Sequence, residues 1–259
     1  MKAIEILIHS IRQVLGNLGV ALQISAVLFL IQIGLIFALG VSGVILGGQD
    51  PRTLPPAFAW AMFAALIVNI VTALWIAVAW HRFVLNNERP TGLLPTFRGD
   101  RIASYFGHSI LVALVIMPVL LIIVILIMPL LYQFIMRAPE PKMWQITLGM
   151  LVIYLPLAAL LTRLSVILPA AALGTPMRLG EAWGKTSGTM LTMGILAVLV
   201  IGGGLLIDLP ATLLFPTGSY LQMIWLILTY WIKVMVGLSI LTTIYGHYVE
   251  GRPLVTQAA

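Results

Sequence analysis

The sequence contains few charged residues and no cysteine. Only 8% of its 259 residues are Asp, Glu, Lys or Arg, against about 25% in a typical soluble domain. The absence of cysteine excludes disulfides, thiolate metal sites, haem attachment and cysteine nucleophiles. Several long stretches lack charge entirely, and one of them extends from Ile102 to Met136. Because such a run is too apolar for a soluble core helix, we predict an all-α, polytopic membrane protein.

Six apolar runs are long enough to cross a bilayer, which requires about 20 residues. The runs are Val20–Leu46, Ala57–Trp80, Ile102–Met136, Met143–Leu161, Thr189–Leu214 and Tyr220–Ile244. The third run exceeds one crossing and contains Pro118 and Pro129, but no polar turn divides it. We therefore expect one tilted and kinked helix, with a re-entrant break at Pro118 as the alternative. Residues 1–259 are predicted to form a single membrane domain.

Basic residues concentrate on one side of the predicted spans. One set of connections carries Lys2, Arg12, Arg82, Arg89, Arg98, Arg101, Arg178, Lys185 and Arg252, and the other carries Arg52, Arg137 and Lys142. The connections are short, so the positive-inside rule applies and predicts that both termini are cytoplasmic. The formal charge of +6 is then explained by anionic lipid headgroups, and no nucleic-acid partner is expected.

Amphipathic segments precede the spans that leave this basic side. The first segment places Ile4, Leu7, Ile8, Ile11 and Leu15 on one helical face, which is typical of a helix lying in the membrane interface. Before span five, Leu179, Ala182 and Trp183 share a face. The stretch Phe97–His108, before span three, has a similar but less regular pattern.

The exits from the even-numbered spans are also alike. Each has a polar group near the membrane edge and a turn closed by proline, at Pro90, Pro176 and Pro253. We infer three repeats, 1–90, 91–176 and 177–259, each an interfacial helix followed by a helical hairpin. Such internal repeats are common among membrane proteins and often surround a pseudo-symmetry axis.

The motifs WHRFVL and ERP after span two, RLSVILPAAALG after span four, and an amphipathic helix containing EAW mark a resemblance. With them the chain resembles the bacterial six-helix inner-membrane proteins related to the glycerophosphoryl diester phosphodiesterase membrane domain. The resemblance covers nearly the whole chain. It implies a multi-pass protein of the bacterial cytoplasmic membrane. The soluble phosphodiesterase domain present in some members is expected to be absent here.

Lys233 and Asp208 are the candidate intramembrane polar site. Burying ionisable groups in a membrane is costly, so such groups are functional candidates. Lys233 either faces an internal cavity or extends its stem towards the headgroups. Asp208 either pairs with Lys233 or reaches interfacial water beside Pro210. The run Gly202–Gly204, about one turn before Asp208, suggests that span five can unwind.

Other residues form weaker candidate sites. Arg82 and Arg163 occupy matching positions in the proposed repeats, where they would bind lipid phosphate or carbonyls at a helix end. The candidate contacts to lipid phosphate are Arg82, Arg163, Arg98, Arg101, Arg178 and Lys185. His81, His108 and His247 lie near the same membrane face without a metal-ligand spacing. The candidate helix-packing glycines are Gly43, Gly47, Gly180, Gly184 and Gly188.

No enzymatic motif is recognisable, since HExxH, GxSxG and P-loop patterns are missing. We expect no catalysis, no cofactor and no metal. Our first hypothesis is a non-catalytic accessory, assembly or scaffold component of a membrane complex, with a membrane-protein partner or a second copy as its contact. The alternative is a transporter or lipid-handling protein that uses Lys233 and Asp208.

Overall fold

The computed structural model describes residues 2–39, 55–136 and 143–254, and within these ranges the chain forms helices and no strand. The helices, in chain order, are α1 Lys2–Leu15, α2 Leu18–Ala38, α3 Pro56–Asn86, α4 Gly99–Met136, α5 Met143–Leu164, α6 Ile167–Leu173, α7 Leu179–Lys185, α8 Met190–Leu213 and α9 Tyr220–Tyr248. Six candidate spans result, with α5 and α6 counted as one, each long and apolar enough to cross a membrane. The predicted all-helical, six-span character is confirmed at this level.

The span boundaries differ from the sequence prediction. Helix α2 begins at Leu18 and ends at Ala38, and residues 40–46 of the predicted first span lie outside the described residues. Helix α5 continues past Leu161 to Leu164, and after a short turn α6 adds another seven residues. Helix α6 ends at Gly174, whose φ of 90° is readily adopted only by glycine.

Helix α4 is continuous over 38 residues, including Pro118 and Pro129. The re-entrant break at Pro118 is therefore wrong. A helix of this length spans about 57 Å at 1.5 Å per residue, well beyond a hydrocarbon layer of about 30 Å. The expected interfacial helix at Phe97–His108 is also wrong, because α4 begins at Gly99 and runs directly into the span. Phe97 instead makes an edge-to-face contact with Trp75 of α3, at 4.9 Å between ring centroids.

Neighbouring spans pack in pairs, α2 on α3, α4 on α5 and α8 on α9. Helices α5 and α8 pack extensively against each other and join two of these pairs, while α3 also contacts α4, α6 and α9, and α9 also contacts α1 and α6. We call the end of the bundle formed by α1, α6, α7 and the carboxyl ends of α3 and α9 the basic end, and the other the opposite end.

The packed core lies at the basic end. Trp80, Ile6, Ile167, Met193 and Ile244 are fully buried there. Towards the opposite end most side chains are exposed, and only 11% of the apolar stretch is buried in α4 and in α8. Outward-facing apolar side chains are expected where lipid is the solvent, because hydrocarbon solvates them as well as a protein core does.

Helix α1 has three faces rather than two. Ala3, Ile6, Ser10 and Val14 are buried against α8 and α9. The face that sequence reasoning selected as apolar instead remains exposed, through Ile4, Ile8, Ile11 and Leu15. A third face carries Lys2, Glu5, His9 and Arg12. Because one apolar face is docked on the protein and another is open, α1 is suited to the membrane interface at the edge of the bundle.

Candidate functional site

Asp208 and Lys233 form an ion pair between α8 and α9. Lys233 Nζ donates to Asp208 Oδ2 at 2.6 Å, and the Lys233 and Asp208 side chains are 39% and 33% exposed respectively. The lysine stem passes Gly204, where an added Cβ would lie 3.6 Å from Lys233 Cδ. The structure thus brings together the two candidate intramembrane residues, and pairing lowers the cost of both charges in an apolar environment.

One carboxylate oxygen of this ion pair has a hydrogen-bond partner and the other does not, among the described residues. Asp208 Oδ1 is buried and has no hydrogen-bond partner among the described residues. Thr229 is close enough to act on the same carboxylate, but its hydroxyl donates to the Leu226 carbonyl. Helix α8 is continuous through Gly202–Gly204, so the structure does not show the unwinding that the glycine run suggested.

Two further hydrogen bonds join the same helices nearer the opposite end. Trp225 Nε1 donates to the Ile207 carbonyl at 2.9 Å, and Gln222 Nε2 donates to the Ala211 carbonyl at 3.0 Å. The Trp225 indole thus donates from α9 to the Ile207 carbonyl of α8, one residue before Asp208. Together with the ion pair, these bonds hold α8 and α9 in register across the half of the pair that is least buried.

Arg82 binds protein atoms at the basic end. Its side chain is 13% exposed, it pairs with Glu88 at 2.6 Å, and its Nη1 donates to the Ala172 carbonyl at 3.1 Å. Arg98 binds the other oxygen of Glu88 through two nitrogens, at 2.8 and 2.9 Å. Burial raises the pKa of Glu88, but hydrogen bonds from Arg82 and Arg98 outweigh this effect and leave the pKa below its usual value.

Arg163 is 5% exposed, and its guanidinium also binds protein atoms. Its Nη2 donates to the Trp183 carbonyl at 3.1 Å and its Nε to the Thr186 hydroxyl at 3.2 Å. Its guanidinium carbon lies 3.8 Å from the Trp183 ring centroid, a cation–π contact. For Arg82 and Arg163 the structure shows the second of the two predicted roles, because both guanidinium groups bind carbonyls at helix ends inside the protein. Contact with lipid phosphate stays a prediction.

The other candidate phosphate contacts are more open. Arg101 pairs with Asp100 at 3.0 Å and is 36% exposed. Its guanidinium lies against Gly174, so a Cβ at this position would displace the flexible end of the Arg101 side chain. Arg178 and Lys185 are exposed on and beside α7.

Sequence reasoning missed the structural role of Arg252. Its Nη2 donates to the Leu85 carbonyl at 2.8 Å, while its Nε pairs with Glu250 at 2.6 Å. Arg82, Arg163 and Arg252 then form a cycle that we call the arginine ring. Each lies in one of the segments 1–90, 91–176 and 177–259, and each donates to a backbone carbonyl in the next segment.

The histidines differ in environment. His81 is fully buried between α3, α4 and α9, with Nδ1 at 2.7 Å from the Thr242 hydroxyl and Nε2 at 3.3 Å from the Tyr105 hydroxyl. Thr242 donates its own proton to the Leu238 carbonyl, so His81 Nδ1 carries hydrogen and Nε2 accepts. His108 contacts the Ser104 carbonyl within its own helix. Its location gives no sign of a metal site.

The glycine stripe on α7 does not seal the bundle. None of the described residues lies within 4 Å of an added Cβ at Gly180, Gly184 or Gly188, so in this part of the chain the glycines do not make the expected close packing. The first two glycines lie on the exposed side of α7, because Ala182 is its buried contact. Gly43 and Gly47 lie outside the described residues.

Cavities occur at both ends of the bundle. An apolar cavity of about 320 Å³ lies between α2, α3 and α9 near the opposite end, with Phe29, Ile33, Met223 and Tyr230 among its walls and Gln32 and Asn69 as polar groups. A polar cavity of about 290 Å³ lies at the basic end between α1 and α9. Neither cavity, nor a third of about 250 Å³ between α5, α8 and α9, is lined by Lys233 or Asp208.

Comparison with known proteins places the chain in no group: no protein-family model, curated protein or solved structure matches it.

Proposed function

We propose that this chain is a non-catalytic membrane protein that serves as an accessory, assembly or scaffold component of a membrane complex. The supporting observation is how its polar groups are used. Lys233 and Asp208 pair with each other and line none of the three cavities described above, while α4 and α8 present largely exposed apolar faces. A transporter requires a polar path through the membrane, whereas an accessory protein requires a stable interior and apolar surfaces for a partner.

The same proposal includes the membrane location and orientation. The basic end would lie in the cytoplasm, following the positive-inside rule, and the membrane would be the bacterial inner membrane, as the family resemblance implies. The arginine ring supports the division into three repeated units, because its contacts pass from each proposed unit to the next and return to the first.

The first experiment tests the ion pair between Lys233 and Asp208. Lys233→Met leaves Asp208 without its cation, so we expect a loss of stability of about 1–2 kcal/mol, discounted because both groups are partly exposed. The double variant Asp208→Asn with Lys233→Met removes both charges and should recover most of that loss. Unfolding in mixed detergent micelles measures the stability, and growth of a deletion strain complemented by each variant measures function.

An accessory role predicts that the double variant complements as well as the wild type. Complete loss of complementation by a stable, correctly inserted double variant contradicts the proposal and favours transport. The matched control is Lys185→Met, which removes an exposed lysine at the basic end.

The open glycines provide a second test, directed at the partner. Gly184→Leu adds bulk to a face that contacts none of the residues the structure describes, so it should weaken a partner contact without unfolding the protein. Gly107→Leu, at another exposed glycine with open space around it, is the control. Cross-linking in native membranes followed by mass spectrometry should show a specific cross-linked species that Gly184→Leu alone removes. The same species in both variants would exclude the glycine face as the contact.

Lipid handling is the second candidate function, and the apolar cavity between α2, α3 and α9 favours it. Its lining is almost wholly apolar, and its volume of about 320 Å³ is sufficient for part of an acyl chain. Substituting Ile33→Trp would fill the cavity. If the protein handles lipid, this variant should fold normally but lose complementation; an unchanged phenotype excludes the cavity from function.

A further inference from the structure

The polar cavity at the basic end has the composition of an anion site. Its volume is about 290 Å³, and its polar lining consists of His9, Gln13, Thr242, Thr243, His247 and Arg252. Three of these six side chains carry or can acquire positive charge, and none of the described residues lining the cavity is Asp or Glu. Two carboxylates lie close to the lining residues: Glu250, which pairs with Arg252 at 2.6 Å, and Glu5, one helical turn before His9 on α1.

Helix α1, the end of α9 and the segment that follows α9 position His9, His247 and Arg252 respectively. Ser10 and Gln13 tie α1 to α9, through contacts of 3.0 Å between the hydroxyls of Ser10 and Thr243 and 2.5 Å between Ser239 and the Gln13 side chain. These bonds hold His9 near the last turn of α9. His247 Nδ1 lies 3.0 Å from the Arg252 carbonyl, which directs the rest of its ring away from that backbone.

The two histidines influence each other across this space. Burial lowers the pKa of His9, and the charge of His247 lowers it further. Two like groups held this close, beside a guanidinium, repel one another when charged. An anion between them removes the repulsion. Arg252 is held in place by Glu250 and the Leu85 carbonyl, and its remaining N–H groups can donate to phosphate oxygens.

The location selects the kind of anion. The exposed face of α1, with Ile4, Ile8 and Ile11, is suited to the membrane interface, so the cavity lies at the depth of lipid headgroups. The phosphate group is the anion present at that depth in every phospholipid. We propose that the cavity between α1 and the end of α9 binds a phosphate group, with His9, His247 and Arg252 as its cationic ligands.

The test uses the full chain in nanodiscs of phosphatidylcholine with or without phosphatidylglycerol, followed by native mass spectrometry of retained lipid. The choline cation of phosphatidylcholine neutralises its phosphate, whereas phosphatidylglycerol keeps a net negative charge. We therefore expect preferential retention of phosphatidylglycerol, and an approximately tenfold fall in its affinity in the double variant His9→Gln with His247→Gln. These substitutions leave the Arg252–Leu85 bond in place. Lys185→Gln removes an exposed cation outside the cavity and should leave retention unchanged.

A separate titration with inorganic phosphate, followed by ³¹P NMR, distinguishes the source. Binding of phosphate alone, lost in the double variant, shows that the phosphate group suffices; retention of phosphatidylglycerol without phosphate binding identifies a lipid headgroup. Either result supports the site. Equal retention by wild type and double variant, or binding of neither probe by the wild type, overturns it. The site requires the membrane location but not the accessory role, so the complementation test above can fail independently.

Gly246→Leu provides a variant that keeps both histidines. An added Cβ at Gly246 lies 3.4 Å from Arg252 Cδ and 3.8 Å from Leu85 Cδ2, and the rest of the leucine side chain would occupy the cavity. We expect the same loss of phosphatidylglycerol with an unchanged helical circular dichroism spectrum. Normal retention in a folded Gly246→Leu protein would show that the lipid does not enter the cavity.

Discussion

The two ends of the bundle are held together in different ways. At the basic end, hydrogen bonds join residues distant in the sequence, such as Ser10 with Thr243, 233 residues apart, and Arg252 with Leu85, 167 residues apart. Towards the opposite end, the bonds between α8 and α9 span 11 to 25 residues. Bonds between distant segments are thus most numerous at the basic end, although Trp231, two residues before Lys233 on α9, also donates to the Ser25 hydroxyl of α2 across 206 residues. The bonds between α8 and α9 mainly keep these adjacent helices in register.

This difference has a physical cause. Lipid solvates apolar side chains as well as a protein interior does, so apolar area alone drives little association between spans. Helix arrangement then depends on close packing and on polar contacts. In this protein both concentrate at the basic end, where Trp80 and Ile244 are fully buried and the arginine ring connects the segments.

The largest predicted effect comes from comparing apolar side chains at the two ends. Ile244→Ala removes a fully buried side chain from the core and should reduce the free energy of unfolding by about 3 kcal/mol. Leu126→Ala, at a position that is 65% exposed on α4, should change it by less than about 0.5 kcal/mol. Unfolding in mixed detergent micelles, followed by circular dichroism, measures both. Similar losses would mean that the opposite end is packed as tightly as the basic end.

A slightly smaller effect is expected from the arginine ring. Arg163→Met removes two charge-assisted hydrogen bonds and a contact with the Trp183 ring, at an expected cost of about 2–3 kcal/mol. Arg178→Met, at an exposed position, is the matched control and should be nearly neutral. Thermal unfolding of the two purified variants compares them. If the buried and exposed arginines cost the same, the ring does not hold the basic end together.

The smallest effect is a dependence on pH. Because the pKa of folded Glu88 lies below its usual value, the carboxylate stabilises the folded state above the unfolded pKa, which is about 4.3. That contribution is lost as pH falls through the folded pKa. Glu88→Gln should cost about 1 kcal/mol at neutral pH and much less at low pH. Urea or detergent unfolding at several pH values measures this convergence, with Glu181→Gln as an exposed control. A constant difference between wild type and Glu88→Gln would contradict it.

The six spans were predictable because their signal is local. Length and lack of charge identify a helix that can cross a membrane, whatever its neighbours. Pro118 and Pro129 were correctly left inside one helix, since a transmembrane helix tolerates proline when the lost bonds are compensated. The helix end at Gly174, by contrast, depends on its positive φ and on the neighbouring Arg101, which sequence does not reveal.

The contacts between spans were less predictable. In α1, exposed Ile8 and buried Ile6 have the same chemistry, so apolar periodicity could not distinguish the docked face from the exposed one. The glycines of α7 had the right spacing for close packing but no helix beside them. Arg252 showed no distinguishing sequence signal, because its partner is a backbone carbonyl and every residue has one.

The arginine ring has a consequence for the order of the chain. In a closed cycle each segment donates a hydrogen bond to the next segment and accepts one from the previous segment, so no segment is peripheral. Consecutive segments are thus joined twice, once by the peptide chain and once by an arginine hydrogen bond. The three arginine contacts do not depend on the order in which the segments are synthesised. Fragments of the chain cut between segments therefore keep the arginine contacts through which they could associate.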